Sequence, residues 1–367
     1  MKKSCYENPF GKVVKPLAYA PGQARCKFTT IHLKPKGRCN MCTAITFQTQ
    51  DHYFGRNLDL EYSLDETITI TPRNYVFNFR KASPLEKHYA IIGMAYVVDD
   101  YPLYYDATNE KGLSVAGLNF PENADYKPYC AGKDNITPFE LIPWLLGQCA
   151  TVAEVEKLLE KINIFNENFS DKLPLSPLHW LIADKERSIT LEAVKDGVKV
   201  YPNPVGVLTN NPTFDYQMFN LNNYMQLTKD NPQNTFAGKN GTLKLDLYSR
   251  GMGAMGLPGD ASSLSRFVKA TFVKLNSLAG TSETESISQF FHILKSVEMA
   301  RGSVHLGKDL YEITQYSSCC NADKGIYYYT TYENCQISAV DMHKENLDGT
   351  ALVKYPLDKT VRINFQN

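Results

Sequence analysis

Residues 41–60 read MCTAITFQTQDHYFGRNLDL, and the fold is decided by how this stretch is read. Cys42–Gln48 alternates in side-chain character as a β-strand does. Gln50-Asp51 supplies a polar turn and Tyr53–Gly55 starts the return, so a hairpin is predicted. Working outward, Thr67-Ile68-Thr69-Ile70-Thr71 is a strict period of two. Tyr89–Val98 is short and apolar, as a buried strand is, and Leu113–Phe120 follows the polar turn Asn109-Glu110-Lys111-Gly112. Two helix starts come next. Thr137-Pro138-Phe139-Glu140 places Thr at the N-cap, Pro at N1 and Glu at N3. Thr151-Val152-Ala153-Glu154 repeats the capping pattern, ahead of an apolar face of Val152, Val155, Leu158, Leu159 and Ile162. Strand signals return at Ser188–Ala193 and Val198–Tyr201, around the turn Lys195-Asp196-Gly197. Helices are predicted over 263–278 and 285–298, then an antiparallel meander over Leu310–Ser318, Gly325–Tyr332 and Gln336–Val340. Strands, helices, strands, helices, strands is the order of an α+β protein with antiparallel sheets between helical layers, not of a βαβ winding. Residues 42–367 read as a single domain.

Composition narrows the function classes. With 43% hydrophobic, 12% aromatic and 21% charged residues, the 367-residue chain is neither disordered, collagenous nor a coiled coil. No run of about 18 apolar residues is present to span a membrane. The formal net charge of zero conceals an asymmetry. Residues 1–40 hold nine Lys/Arg against the single acid Glu7, leaving 30 basic and 38 acidic side chains in 41–367. An acidic body is not a nucleic-acid footprint. The basic head lacks the apolar stretch of a signal peptide and lacks periodicity. Residues 1–41 therefore read as a leader, an upstream in-frame translation or an appended tail, with little packing against the body. Nine cysteines are too sparse for a disulfide scaffold and suit a reducing, cytoplasmic setting with mostly buried thiols.

Most catalytic motifs are absent: there is no P-loop, no G-x-S-x-G and no H-E-x-x-H. Gly251-Met252-Gly253-Ala254-Met255-Gly256 has the dinucleotide-fingerprint spacing, but no clear strand precedes it and Pro258 interrupts any helix. Cys39-Asn40-Met41-Cys42 is a C-x-x-C without the βαβ context of a redox site, and Cys5, Cys26, Cys39 and Cys42 lack the paired spacing of a zinc site. His179, beside Trp180 in an apolar stretch, reads as a hydrogen-bonded core histidine. Met41-Cys42 is the sharper feature. A chain beginning at Met41 and trimmed of that Met has a thiol and a free α-amine on one residue. Their ordinary pKa values, about 8.5 and about 8, are close enough for the amine to take the thiol proton. Nucleophile and base then share residue 42. Taken alone, Cys42 is equally a small buried hydrophobe in a first strand.

Its company changes that reading. Met41–Thr46 followed by Phe54-Gly55-Arg56-Asn57-Leu58-Asp59 resembles the start of the choloylglycine hydrolase family, N-terminal-nucleophile hydrolases comprising bile salt hydrolases and penicillin V acylases. The resemblance continues through Ala116–Phe120, Val207–Pro212, Leu257–Asp260, Ser263–Phe267 and Tyr316–Asn321 in family order, and leaves out residues 1–40. It implies a four-layer αββα sandwich of two antiparallel sheets, with Cys42 at a strand start facing a cleft. It also implies Cys42 as nucleophile, Arg56 and Asp59 flanking it, Asn119 and Asn210 donating to the oxyanion and holding substrate, and Arg266 as a second site arginine. A guanidinium near sulfur favours thiolate, a carboxylate near the α-amine favours its charged form, and an amide NH₂ donates without titrating.

Asn119 points to the bile-salt side of the family, where penicillin V acylases tend to carry Tyr. The implied reaction is hydrolysis of the amide joining a steroid acid to glycine or taurine, with no metal or organic cofactor needed. Leu58, Tyr62, Leu64, Tyr126 and Tyr129 fall in segments that line the family pocket, and their apolar surface suits a steroid face. The resemblance also suggests a homotetramer. Two other readings stand beside it: an acylase of the same family acting on penicillin V or N-acyl homoserine lactones, and an inert precursor or non-catalytic protein in which Cys42 stays internal.

Overall fold

The computed structural model describes residues 41–236 and 243–367. These fall in one compact unit, residues 38–367; the other unit, 1–37, lies outside the described residues, as does the expectation that 1–40 pack little against the body. Strands and helices are numbered in chain order.

Two large sheets form the centre. The first, in spatial order, is β12 (Val207–Leu208), β1 (Cys42–Gln48), β2 (His52–Leu60), β15 (Ile313–Asn321), β16 (Ile326–Thr331) and β17 (Ser338–Asp341). The second is β11 (Gly197–Pro202), β10 (Ser188–Val194), β9 (Leu178–Ala183), β6 (Ser114–Asn119), β5 (Tyr101–Asn109), β4 (Ile91–Val98), β3 (Thr67–Thr71) and β18 (Val353–Pro356). Every pairing within these two sheets is antiparallel. A short parallel ribbon, β7 (Asp134–Ile136) with β8 (Ile162–Ile164), and a two-stranded ribbon, β13 (His305–Gly307) with β14 (Leu310–Tyr311), lie apart.

The helices cover the outer faces. α1 (Leu141–Gln148) and α2 (Val152–Leu159) share a core with the eight-stranded sheet, built on Trp144, Leu145, Val155, Trp180 and Ile182. α4 (Ser263–Asn276) and α5 (Glu283–Lys295) cover the six-stranded sheet with Phe267, Phe290, Phe291 and Leu294, in a core that continues between the sheets through Ala44, Ile70, Ala116 and Tyr316. The short α3 (Phe214–Asn220) follows β12. The expected α/β/β/α order is present.

Layering explains why β1 and β2 are covered on both faces. From Cys42 to Phe47, and along the whole of β2, every residue is buried. Gly55 is required in the middle of β2: a Cβ there would lie 2.0 Å from the Ser318 carbonyl oxygen of β15. That close approach also brings the Ser318 hydroxyl to the Arg56 amide at 3.1 Å.

Three local expectations are corrected. The helix predicted from Thr137 begins at Leu141, after a turn over 138–140. Glu140 accepts from the Thr137 amide at 3.0 Å, one half of the capping box, but its other oxygen is taken by the Arg80 amide and Thr137 Oγ1 has no partner. Thr151 does cap α2, accepting from the Glu154 amide. The helix expected over 285–298 starts at Glu283, because Ser282 and Glu285 form a complete capping box, and ends at Lys295. The meander at 310–340 is not the last sheet element, since β18 closes the edge of the other sheet against β3.

Gly55→Ala is expected to lower stability by about 2 kcal/mol or more, because β15 must move off β2 to admit the methyl group. Urea denaturation checks this; an unchanged midpoint would show that the two strands separate at little cost.

Candidate active site

Cys42 opens β1 and pairs with Leu58 of β2. Its nitrogen donates to Asn210 Oδ1 at 2.9 Å. Its carbonyl accepts from Arg266 Nη1. The same guanidinium donates to Thr43 Oγ1 at 2.7 Å, to Asn210 Oδ1 at 2.6 Å and, through Nε, to the Ala261 carbonyl at 3.0 Å. One α4 arginine thus holds the Cys42 peptide from behind while fixing the asparagine that meets its nitrogen. Asn210 is itself immobilised: its amide donates to Ser263 Oγ at 2.8 Å, Gln217 donates to its carbonyl, and its Nδ2 donates to the Asn119 carbonyl at 2.7 Å.

The thiol is enclosed, with Cys42 2% exposed. Burial pushes the thiol pKa up; Arg56 opposes this, the Asp59 carboxylate adds to it, and the Asp59 backbone N–H and Arg266 oppose it. Arg56 is fully buried. Its Nη1 donates to the carbonyls of Gly117 at 2.5 Å and Tyr105 at 3.0 Å, its Nε to that of Asn57, while Nη2 has no hydrogen-bond partner. Burial disfavours the charge on Arg56, yet Cys42, Tyr316, Asp106 and Asp59 outweigh it and raise the guanidinium pKa. Asp106 is the nearest counter-charge; burial raises its carboxyl, against the pull of Arg56 and of three hydroxyls. Its oxygens accept from the hydroxyls of Tyr316 at 2.8 Å, Ser318 at 3.1 Å and Tyr327 at 2.6 Å.

Two more carboxyls stand on the side of residue 41. Asp59 Oδ1 accepts from Thr314 Oγ1 at 2.6 Å and Oδ2 has no partner. Burial lifts this carboxyl to about 6, against the pull of Arg266, Thr314 and Arg56. Glu312 is 1% exposed; Oε1 accepts from the Met41 amide and Oε2 has no partner. Burial lifts it to about 8, the Met41 N–H opposing and Asp59 adding. The Met41 carbonyl accepts from the Asp59 amide at 3.1 Å, so residue 41 continues the β1 ladder by one step.

The six positions singled out as catalytic, Cys42, Arg56, Asp59, Asn119, Asn210 and Arg266, are therefore brought together. The pocket positions are scattered. Leu58 is a core residue opposite Cys42, and Tyr62 and Tyr129 are exposed at 40% and 59%. Leu64 is half-buried, its amide donating to Glu66 at 2.9 Å. Tyr126 packs against the core under α1 and α2, its hydroxyl donating to the Ser176 carbonyl and accepting from the Leu178 amide. Cys42, expected to face a cleft, is 2% exposed. A cavity of about 370 Å³ beside it is lined by Arg266, Asp260, Lys269, Glu298 and Met299, and not by Cys42. Asp106 and Glu312 were missed by sequence reading. Asp106 sits inside an alternating strand and Glu312 in the meander, and neither carries a motif.

Comparison with known proteins identifies the family. Residues 42–355 match the model for linear amide C–N hydrolases, choloylglycine hydrolase family. The chain belongs to that family. It is similar to the "Bile salt hydrolase/transferase" of Lactiplantibacillus plantarum, 61% identical over 86% of this chain and 97% of the relative. The protein of the same description from Clostridium perfringens is 42% identical over 89% of this chain and all of the relative. A solved variant of conjugated bile acid hydrolase from Clostridium perfringens superposes with TM-score 0.81 at 40% identity, over 89% of this chain and all of that one. Penicillin V acylase from Agrobacterium tumefaciens shares the fold alone, at TM-score 0.66 and 19% identity over 86% of this chain and 90% of that one. The protein is a hydrolase acting on linear amides, with the N-terminal-nucleophile hydrolase fold.

With residue 41 attached, Cys42 is expected to alkylate more slowly with iodoacetamide at pH 7 than the exposed Cys130 and Cys335, and to accelerate as pH rises. Peptide-resolved mass spectrometry reads each rate, and equal rates at pH 7 would contradict the raised thiol.

Proposed function

We propose that this protein hydrolyses the amide of glycine- or taurine-conjugated bile salts, with Cys42 as an N-terminal nucleophile, releasing the free bile acid and the amino acid. The supporting observation is that the nitrogen of Cys42 is as fully surrounded as its thiol. Asn210 Oδ1 accepts from it, and Arg266 fixes that oxygen. Asp59 and Glu312 line the side that residue 41 occupies. A buried backbone N–H needs one acceptor in any protein; the two carboxyls beside it go beyond that need.

The active species on this reading begins at Cys42, by initiation at Met41 or by removal of the head. A peptide bond from Met41 leaves an amide nitrogen with no useful basicity. With that bond absent, the α-amine takes the thiol proton and Arg56 favours the thiolate. Sulfur attacks the substrate carbonyl, and the oxyanion is met by amide donors of Asn210 and Asn119. In the observed geometry an Asn210 N–H donates to the Asn119 carbonyl at 2.7 Å, which aims the amide. The C–N bond then breaks as the α-ammonium protonates the leaving amine. Water, deprotonated by the same amine, opens the thioester, releases the acid and restores the thiol. The relatives' description as hydrolase/transferase favours a second outcome, in which another amine takes the place of water at the thioester. Leu58, Tyr62, Leu64, Tyr126 and Tyr129 remain the proposed steroid contacts. The six described cysteines are all free, in keeping with a cytoplasmic protein, and a homotetramer is proposed from the family resemblance.

Cys42→Ser is expected to abolish turnover of glycocholate and taurocholate while leaving the unfolding midpoint near that of the parent, because a hydroxyl is far harder to deprotonate than a thiol. Substantial retained activity would refute the nucleophile. Asn210→Ala should lower turnover by on the order of a hundredfold. Faster turnover of penicillin V than of glycocholate would move the proposal to the acylase branch. A preparation verified by mass spectrometry to keep its head is expected to be inactive beside one beginning at Cys42. Equal activity from both would overturn the α-amine as base.

A further inference from the structure

Asn119 and Asn210 belong to different sheets. Asn119 ends β6 of the eight-stranded sheet, and Asn210 follows β12 at the edge of the six-stranded one. The 2.7 Å bond from Asn210 to the Asn119 carbonyl closes the gap between them but does not set the spacing of the sheets behind it.

His179 lies where that spacing is decided. In β9 it pairs with Leu118 of β6 on one side and Glu192 of β10 on the other. Its Nε2 donates at 2.9 Å to the carbonyl of Thr209, the residue before Asn210. Its Nδ1 lies 3.1 Å from Glu192 Oε1, and the same oxygen accepts at 3.0 Å from the amide of Phe214, which opens α3 after the Asn210 loop. Phe120, the residue after Asn119, stacks on the imidazole with centroids 4.2 Å apart and planes 7° from parallel. His179 and Glu192 are wholly buried. One ring thus touches the chain neighbours of both asparagines and bridges the sheets that carry them.

We propose that His179, held by Glu192, is a positioning residue that sets Asn210 and Asn119 against the Cys42 nitrogen and the reacting carbonyl. This rests on the catalytic reading of those three residues given above. A merely structural histidine would affect stability and leave the thiol's chemistry alone, and isosteric variants separate the two. A Gln side chain reproduces the reach of Nε2 to Thr209, and an Asn side chain only that of Nδ1 to Glu192.

The experiment uses the protein beginning at Cys42. It reads the pH profile of Cys42 alkylation by iodoacetamide, resolved by peptide mass from Cys130 and Cys335, and kcat and KM on glycocholate. His179→Asn is expected to lose roughly tenfold or more in kcat with KM within about twofold, and to shift the alkylation profile. His179→Gln should stay within about threefold of the parent on both readouts. An unmoved profile and kcat in His179→Asn would overturn the proposal, as would equal losses in both variants that track their melting temperatures. Alkylation needs no bile salt. A parent that turns over no conjugate while His179→Asn still shifts the thiol profile would end the substrate reading and leave the positioning role standing. If His179→Asn does not fold, Phe120→Leu takes its place, with the His179 contacts kept. A threefold or larger fall in kcat at unchanged KM, about what modest misplacement costs, supports the proposal, and an unchanged kcat overturns it.

Discussion

Among the described residues two guanidinium groups are sealed away from water, and the geometry around Cys42 follows from satisfying both. Arg56 and Arg266 are at most 1% exposed. A buried cation left without partners costs several kcal/mol, about 3–5 when a partner is removed, so the chain has little freedom in how it surrounds them. Arg266 spends its donors on the Cys42 carbonyl, the Thr43 hydroxyl, the Asn210 side chain and the Ala261 carbonyl. Arg56 spends its own on carbonyls of Asn57, Tyr105 and Gly117, reaching across from one sheet to the other. Asp106, bound by three hydroxyls, supplies the opposite charge. A one-residue slip of β2 against its neighbours would turn Arg56 to the other face and take it from the Tyr105 and Gly117 carbonyls. The register that places Cys42 at the strand start is thereby fixed by polar as well as apolar contacts.

The strand periods at Cys42–Gln48 and Thr67–Thr71 and the cap at Thr151 were legible in the sequence because each is a local rule that the fold obeys. What was hidden is non-local. Nothing local marks Arg56 and Asp59 as buried; only the second sheet and α5 make β2 covered on both faces. The Thr137 cap failed because Glu140 is drawn to Arg80, some sixty residues away in sequence. β18 is a short segment whose strand character comes from pairing with β3, not from its own alternation. Cys42 was marked by Met41-Cys42; the other five catalytic candidates were reached through family resemblance, since no motif or spacing marks them. Asp106 and Glu312 were reached by neither route, because a buried carboxyl announces itself only through what packs on it.

Those two carboxyls differ in a way that bears on the chemistry. Asp106 is saturated with hydroxyl donors and serves one arginine. Glu312 and Asp59 each keep one oxygen without a donor in a space where unpaired polar atoms are expensive. Burial lifts Glu312 to about 8 and Asp59 to about 6, with Asp59 adding to the rise of Glu312 and Glu298 to that of Asp59. A pair of buried acids that hold their protons this tightly is short of positive charge.

The shortage lies beside residue 41, whose amide gives Glu312 one neutral N–H and whose carbonyl takes the Asp59 amide. An α-ammonium on Cys42 brings a full positive charge and two further hydrogens to this region. The charge lowers the pKa of a nearby carboxyl, so the acids release protons more readily in its presence. By the reciprocity of that interaction, the carboxylates favour the protonated amine, the state that follows uptake of the thiol proton. Arg56 works on the other half of the same exchange by favouring the thiolate. The proton moves within residue 42, from sulfur to nitrogen, and fixed charges stabilise both products of the move. On the reading proposed above, the electrostatics around Cys42 are incomplete with a peptide bond at its nitrogen and balanced with a free amine there.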